Sequence, residues 1–204
     1  MNLPSLAATA LAPSAAERPA PADRQAAVRR GRAIGATFLS GFGTLWVAMG
    51  SLAADARPAL VAAIVACGAA LFFVAGWRVR RLGDAADSAE LAGWQAQRSR
   101  VFKRVNQAQY LAIAAVVVGC NLAQRPAWIC NGILLVVGLH FFPLARLYAS
   151  RAHAVIGAAL CLAAAYGALF QGGEPNNTLA PIAAGLVLWA GAGYGLWRSL
   201  AGGD

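Results

Sequence analysis

Six long apolar runs set the pattern of this chain, at residues 34–54, 59–77, 107–123, 127–148, 153–170 and 179–198. Each is 17 to 22 residues long, and a helix of roughly 20 residues crosses a hydrocarbon core of about 30 Å. None of the six contains Asp or Glu. A water-soluble helix alternates apolar and polar faces, whereas these runs are apolar on every face. Spanning as helices also satisfies each backbone N–H and C=O within its own segment, which lipid demands. The pattern predicts an all-α polytopic membrane protein with six transmembrane helices.

The segments between the runs are of two kinds. Four are short: Asp55–Pro58, Gln124–Pro126, the turn at 149–152 and Gln171–Thr178. The one sizeable polar piece is 78–106. There Asp87 with Glu90 three residues on reads as a helix start. Leu91, Trp94, Val101, Phe102 and Val105 then recur at helical spacing among Gln and Arg. This predicts a cytoplasmic amphipathic helix between helices 2 and 3, lying on the membrane or running into helix 3. Residues 1–32 are rich in Ala and Pro and end in Arg24, Arg29, Arg30 and Arg32. They do not read as a signal peptide, because no positive charge precedes the stretch Leu3–Leu11 and Pro4 and Pro13 bracket it. The expectation is a disordered basic tail whose arginines sit near anionic headgroups.

Composition agrees. Hydrophobic residues make up 59% of the 204 and charged ones 12%, about half the roughly 25% of ordinary globular proteins. The 22 glycines suit helices whose backbones approach closely in lipid. A net charge of +9 would fit a nucleic-acid partner, but the arginines flank apolar runs and form no folded basic face. Their placement gives direction instead. Of the 17 Lys and Arg, 15 fall before helix 1, between helices 2 and 3, at the 4–5 turn and at the end of helix 6. Only Arg57 and Arg125 fall on the other side. Both termini are therefore expected in the cytoplasm, in a multi-pass protein of the inner (plasma) membrane. Trp77, Tyr110, Tyr148 and Trp197 mark the inner interface and Trp128 the outer one.

Small residues four apart occur as Ala62, Ala66 and Ala70; Ala115, Gly119 and Ala123; Gly157, Cys161 and Ala165; and Gly191 and Gly195. All are candidates for close helix crossings. No internal repeat supports an inverted-repeat transporter fold.

No catalytic motif is present, neither a metalloprotease helix, a nucleophile elbow, a phosphate loop nor paired intramembrane carboxylates. An enzyme is not expected, nor a cofactor or metal. The four cysteines (Cys67, Cys120, Cys130 and Cys161) have no metal-ligand spacing and read as packing residues. Depth counting from the turns does gather polar residues in the inner third of the bundle. Helix 3 enters through Asn106, Gln109 and Tyr110, on one face. Helices 3 and 4 fold about Arg125, which sets His140 level with Tyr110. Helices 4 and 5 fold about Ser150, which sets Cys161 level with His140. Ser40 and about Trp189 reach similar depth. The candidate polar layer is thus Ser40, Asn106, Gln109, Tyr110, His140 and Cys161. His140 is its sharpest member, because an ionisable residue within a span is a functional-site candidate. Pro143 beside it frees the Leu139 carbonyl and is a kink candidate, and Arg146 sits at the interface. Nearer the other surface Cys120 and Cys130 are level, with Asn121 and Asn131 beside them. That geometry admits an Asn–Asn hydrogen bond or a disulfide.

Phe102-x-x-Val105-Asn106-x-x-Gln109-Tyr110 and the run Gly138-Leu139-His140-Phe141-Phe142-Pro143-Leu144-Ala145-Arg146-Leu147 together resemble a group of small bacterial multi-helix membrane proteins of unknown function. The likeness is best over 100–170, and it implies no activity. Two functional readings stay open. One is a small-solute permease-like protein with the polar layer lining a cavity that faces the cytoplasm. The other is a non-catalytic assembly or regulatory subunit whose polar layer is structural. The partners expected are the lipid bilayer and a second copy or another membrane protein.

Overall fold

The computed structural model describes residues 21–83, 89–169 and 178–201. Among these are six helices: α1 (Pro21–Ala53), α2 (Pro58–Leu82), α3 (Ala89–Leu122), α4 (Trp128–Leu147), α5 (Arg151–Leu169) and α6 (Leu179–Leu200). All six are long and apolar enough to cross a membrane. The chain before Pro21, Asp87 and the turn at 171–177 lie outside the described residues.

One expectation changes. Residues 21–32 are not disordered but form the first turns of α1. Pro21 suits a first helical position, Asp23 complements the positive helix end, and the Ala, Gln and Arg that follow are helix formers. Of the two courses open to the stretch read as amphipathic, it takes the second and runs into helix 3. Residues 89–106 are the start of α3, unbroken over 34 residues. Among its polar residues, nothing but Gly93 weakens the helix before the span begins. At 1.5 Å per residue, α1 and α3 are each about 50 Å long, so both project beyond a core of about 30 Å.

Three of the turns are closed by the same device. Asp55, Gln124 and Ala149 adopt φ of 52°, 56° and 48°. The next residue's N–H reaches back five positions each time: Ala56 to Ser51 at 3.0 Å, Arg125 to Cys120 at 2.8 Å, and Ser150 to Ala145 at 2.9 Å. This paired left-handed cap uses carbonyls a helix end would otherwise leave open. It lets antiparallel helices follow within a few residues.

The helices pack in the spatial series α2–α1–α6–α5–α4–α3, with α6 also touching α2 and α4. Helices adjacent in sequence, α2 and α3, thus stand at opposite ends. The most extensive contact is between the first and last helices. Its basis is a period of seven. Ala36, Gly43 and Gly50 on α1 face Ala192, Gly185 and the Thr178 end of α6. A Cβ on Gly43 would lie 2.9 Å from the Gly185 carbonyl, and one on Gly50 would lie 2.6 Å from the Thr178 carbonyl. Only glycine admits such approach, and in lipid close packing is what holds helices together. A sevenfold repeat keeps a seam facing its partner along the helix. α4 meets α5 in the same way, with Gly138 against Gly157 and Cys161. Of the four-residue stripes, Gly157–Cys161 and Gly191–Gly195 lie at such seams. Ala62, Ala66 and Ala70, and Ala115, Gly119 and Ala123, are exposed.

The candidate polar layer and a neighbouring cluster

The residues expected in one layer are divided among separate seams. Ser40 is fully buried on α1 and donates through Oγ to the Thr37 carbonyl at 2.9 Å. Its own carbonyl accepts from Trp189 Nε1 of α6 at 3.3 Å, and that indole also reaches Thr44 Oγ1 at 3.2 Å. The depth match of Ser40 with Trp189 is therefore a contact, made at the α1–α6 seam. Cys161 lies half-buried on α5, where a Cβ on Gly138 would come within 2.8 Å of its Sγ. His140, on α4, turns instead to α3, hydrogen-bonding the Val105 backbone carbonyl. Asn106 and Gln109 are half-buried on α3, and Tyr110 is 63% exposed. Pro143 is exposed within α4, whose helix continues to Leu147 past it, and Arg146 is exposed in the last turn. Equal depth fixed no common azimuth, so Ser40, Cys161 and His140 look into three different interfaces.

The pair at the opposite end of the spans behaves similarly. Asn131 is 6% exposed and donates to the Ala164 carbonyl of α5 at 2.9 Å. Asn121 donates to its own helix, to Val117 at 2.7 Å. The expected Asn121–Asn131 bond is not formed, because the two amides turn to different partners. Cys120 and Cys130 are both free thiols. Beside them an open depression of about 580 Å³ is lined by Gly119, Cys120, Ala123, Arg125 and Trp128. None of the polar-layer residues lines it.

A cluster that sequence reading missed joins α3, α4 and α5 at the arginine-rich end. Arg98 donates through Nη2 to the Leu147 carbonyl at 2.8 Å, capping α4. Its guanidinium lies 5.1 Å from the centre of the Tyr148 ring, a cation–π distance. Tyr148 is 5.6 Å from His153, His153 is 6.0 Å from Phe141, and Phe141 is 6.2 Å from His140. Burial pushes the Tyr148 phenol up, with the Arg98 cation pulling it partly back, so the ring stays neutral as a face for Arg98. His153 Nδ1 is buried with no hydrogen-bond partner among the described residues. The turn at Ser150 sets Tyr148 and His153 level. The same count, readable from sequence, levels His140 with Cys161.

No curated protein and no solved structure matches the chain. The model of a family of unknown function, DUF7010, matches residues 22–196, which takes in all six helices but their outermost residues. The chain belongs to that family of unknown function.

Proposed function

We propose that this protein is a non-catalytic subunit of the cell's inner membrane, acting by assembly with other membrane protein, and that its intramembrane polar groups are structural. One observation carries this reading: intramembrane polar groups bond from one helix to the next at three separate seams and do not converge on one cavity. Trp189 ties α6 to the Ser40 carbonyl, His140 ties α4 to α3, and Asn131 ties α4 to α5. An intramembrane polar group marks a solute pathway when it faces a wet cavity, and acts as glue when it bonds a neighbouring helix. The assembly half of the reading is supported by α3, which rests on α4 and has no described side chain fully buried. In this reading both termini are cytoplasmic, with the arginine-rich end inside. A reporter active only outside the cytoplasm then stays silent when fused after Asp204, and activity there overturns the orientation.

The test of the structural role is His140→Ala beside His140→Phe. Both lose the bond to the Val105 carbonyl, and protein abundance in the membrane is expected to fall in each. The size of the effect is that of an interhelical hydrogen bond in lipid, about 1 kcal/mol. Normal abundance of both variants with loss of a cellular phenotype would instead identify His140 as part of a site and return the permease reading.

A further inference from the structure

The sevenfold seam between α1 and α6 ends in a rung of different chemistry. Ala36 lies opposite Ala192, and Gly43 opposite Gly185. A Cβ on Gly195 would lie 3.4 Å from the Arg32 carbonyl, so the register holds to the end of the seam. One step of seven beyond Ala36 is Arg29, and one step beyond Ala192 is Ser199. The same register sets these two opposite each other. The third helix at this point is α2. Its Ala75 is buried in one cluster with Ala36 and Ala192, and Arg78 follows less than a turn later. Arg78 donates through Nη2 to the Ser199 carbonyl at 2.7 Å, capping the end of α6.

Two guanidiniums are thereby directed to one end of the α1–α2–α6 junction. The Nε atoms of both Arg29 and Arg78 are buried and have no hydrogen-bond partner among the described residues. Arginine stays charged at any physiological pH. A buried donor on a charged group without an acceptor is costly. A tetrahedral oxyanion would relieve it, offering several acceptor oxygens to the planar fork and a negative charge between two cations. Depth names its source. Arg29 lies five residues before the apolar run that begins at residue 34, about 7 Å along the helix axis. That is the headgroup layer, just beyond the hydrocarbon core.

We propose that the phosphate of an anionic membrane lipid seats between Arg29 and Arg78 at the arginine-rich end of the α1–α2–α6 junction. Its acyl chains lie along the exposed apolar flank of α2, where Phe73 is 71% exposed. The site rests on the helices spanning a bilayer and not on the assembly reading.

The test uses the purified full-length protein in neutral detergent, titrated separately with phosphatidylglycerol, phosphatidylcholine and inorganic phosphate. Bound species are counted by native mass spectrometry. The wild type is expected to retain phosphatidylglycerol over phosphatidylcholine. Arg29→Gln and Arg78→Gln each weaken that retention roughly fivefold, the worth of one basic residue at a membrane surface. Arg57→Gln, at the opposite end, leaves it unchanged. Arg78→Gln also removes the Ser199 cap. If it fails to fold, Arg29→Gln decides alone, with Arg29→Lys expected to restore part of the binding. Equal retention of the two lipids, or undiminished phosphatidylglycerol binding in Arg29→Gln, overturns the proposal. Inorganic phosphate binding as tightly as phosphatidylglycerol overturns the lipid as the source.

Discussion

The α1–α6 and α3–α4 seams are built from the same kinds of residue and hold their helices in opposite ways. Along α1–α6, backbone meets backbone at several depths: Gly43 with Gly185, Gly50 with Thr178, and Gly195 with Arg32. Along α3–α4 the one comparably close glycine is Gly132, and what it admits is a side chain, Val116, whose Cγ1 would lie 2.6 Å from an added Cβ. The hydrogen bonds across that seam sit near its arginine-rich end, in the His140–Val105 bond and the Arg98 cap on Leu147. Lipid tails are as apolar as leucine, so apolar surface alone does not drive helices together in a bilayer. Dispersion contacts accumulated at close range do, each small and together large. By that measure the first and last helices form the fixed part of the bundle, and α3, with no described side chain fully buried, is the more loosely held.

The substitution with the largest expected effect strikes the fixed part. A Cβ on Gly185 would lie 2.5 Å from the Gly43 carbonyl oxygen and 2.7 Å from the Val47 nitrogen. Neither is the yielding tip of a side chain, so the two helices must separate. Gly185→Leu is expected to cost about 3 kcal/mol or more. In detergent this reads as a large drop in thermal midpoint and loss of a monodisperse peak on size exclusion. A variant that melts with the wild type would mean that the α1–α6 seam does not hold the bundle, and the contrast between the seams would collapse.

What was legible in the sequence follows the same physics. The six spans could be read because a bilayer imposes length and apolarity residue by residue, without reference to neighbours. The seams could not, because four-residue spacing of small residues is common in an Ala-rich chain. It picked out Ala62, Ala66 and Ala70, which are exposed, and passed over Ala36, Gly43 and Gly50, where the period is seven. The turns could be located but their closure could not, because the left-handed positions are held by Asp55, Gln124 and Ala149, not by glycine. Depth counting succeeded where depth was the question, pairing Ser40 with Trp189 and bringing Cys161 close to Gly138, two residues from His140. It fails for azimuth, which is why His140 and Cys161 share a level and not an interface. The first turns of α1 were misread because polarity marks the end of a membrane span, not the end of a helix.

The smallest expected effect belongs to the counterpart on α3. Gly119 belongs to a four-residue stripe of small residues, as Gly157 does, yet nothing lies within 4 Å of a Cβ added to it. Gly119→Leu is therefore expected to leave the thermal midpoint of the isolated chain in detergent nearly unchanged, within about 0.5 kcal/mol. Replacing glycine in a helix interior even offsets part of any loss, since glycine costs up to about 1 kcal/mol there relative to alanine. A drop comparable to that of Gly185→Leu would show that α3 is packed within the chain and would erase the distinction between the two seams. The same variant followed in native membranes separates two sources of stability. If Gly119→Leu is well tolerated in detergent but destabilised before extraction, the open face of α3 was covered by protein. Indifference in both settings leaves that face to lipid and removes the support that α3 gives to the assembly reading.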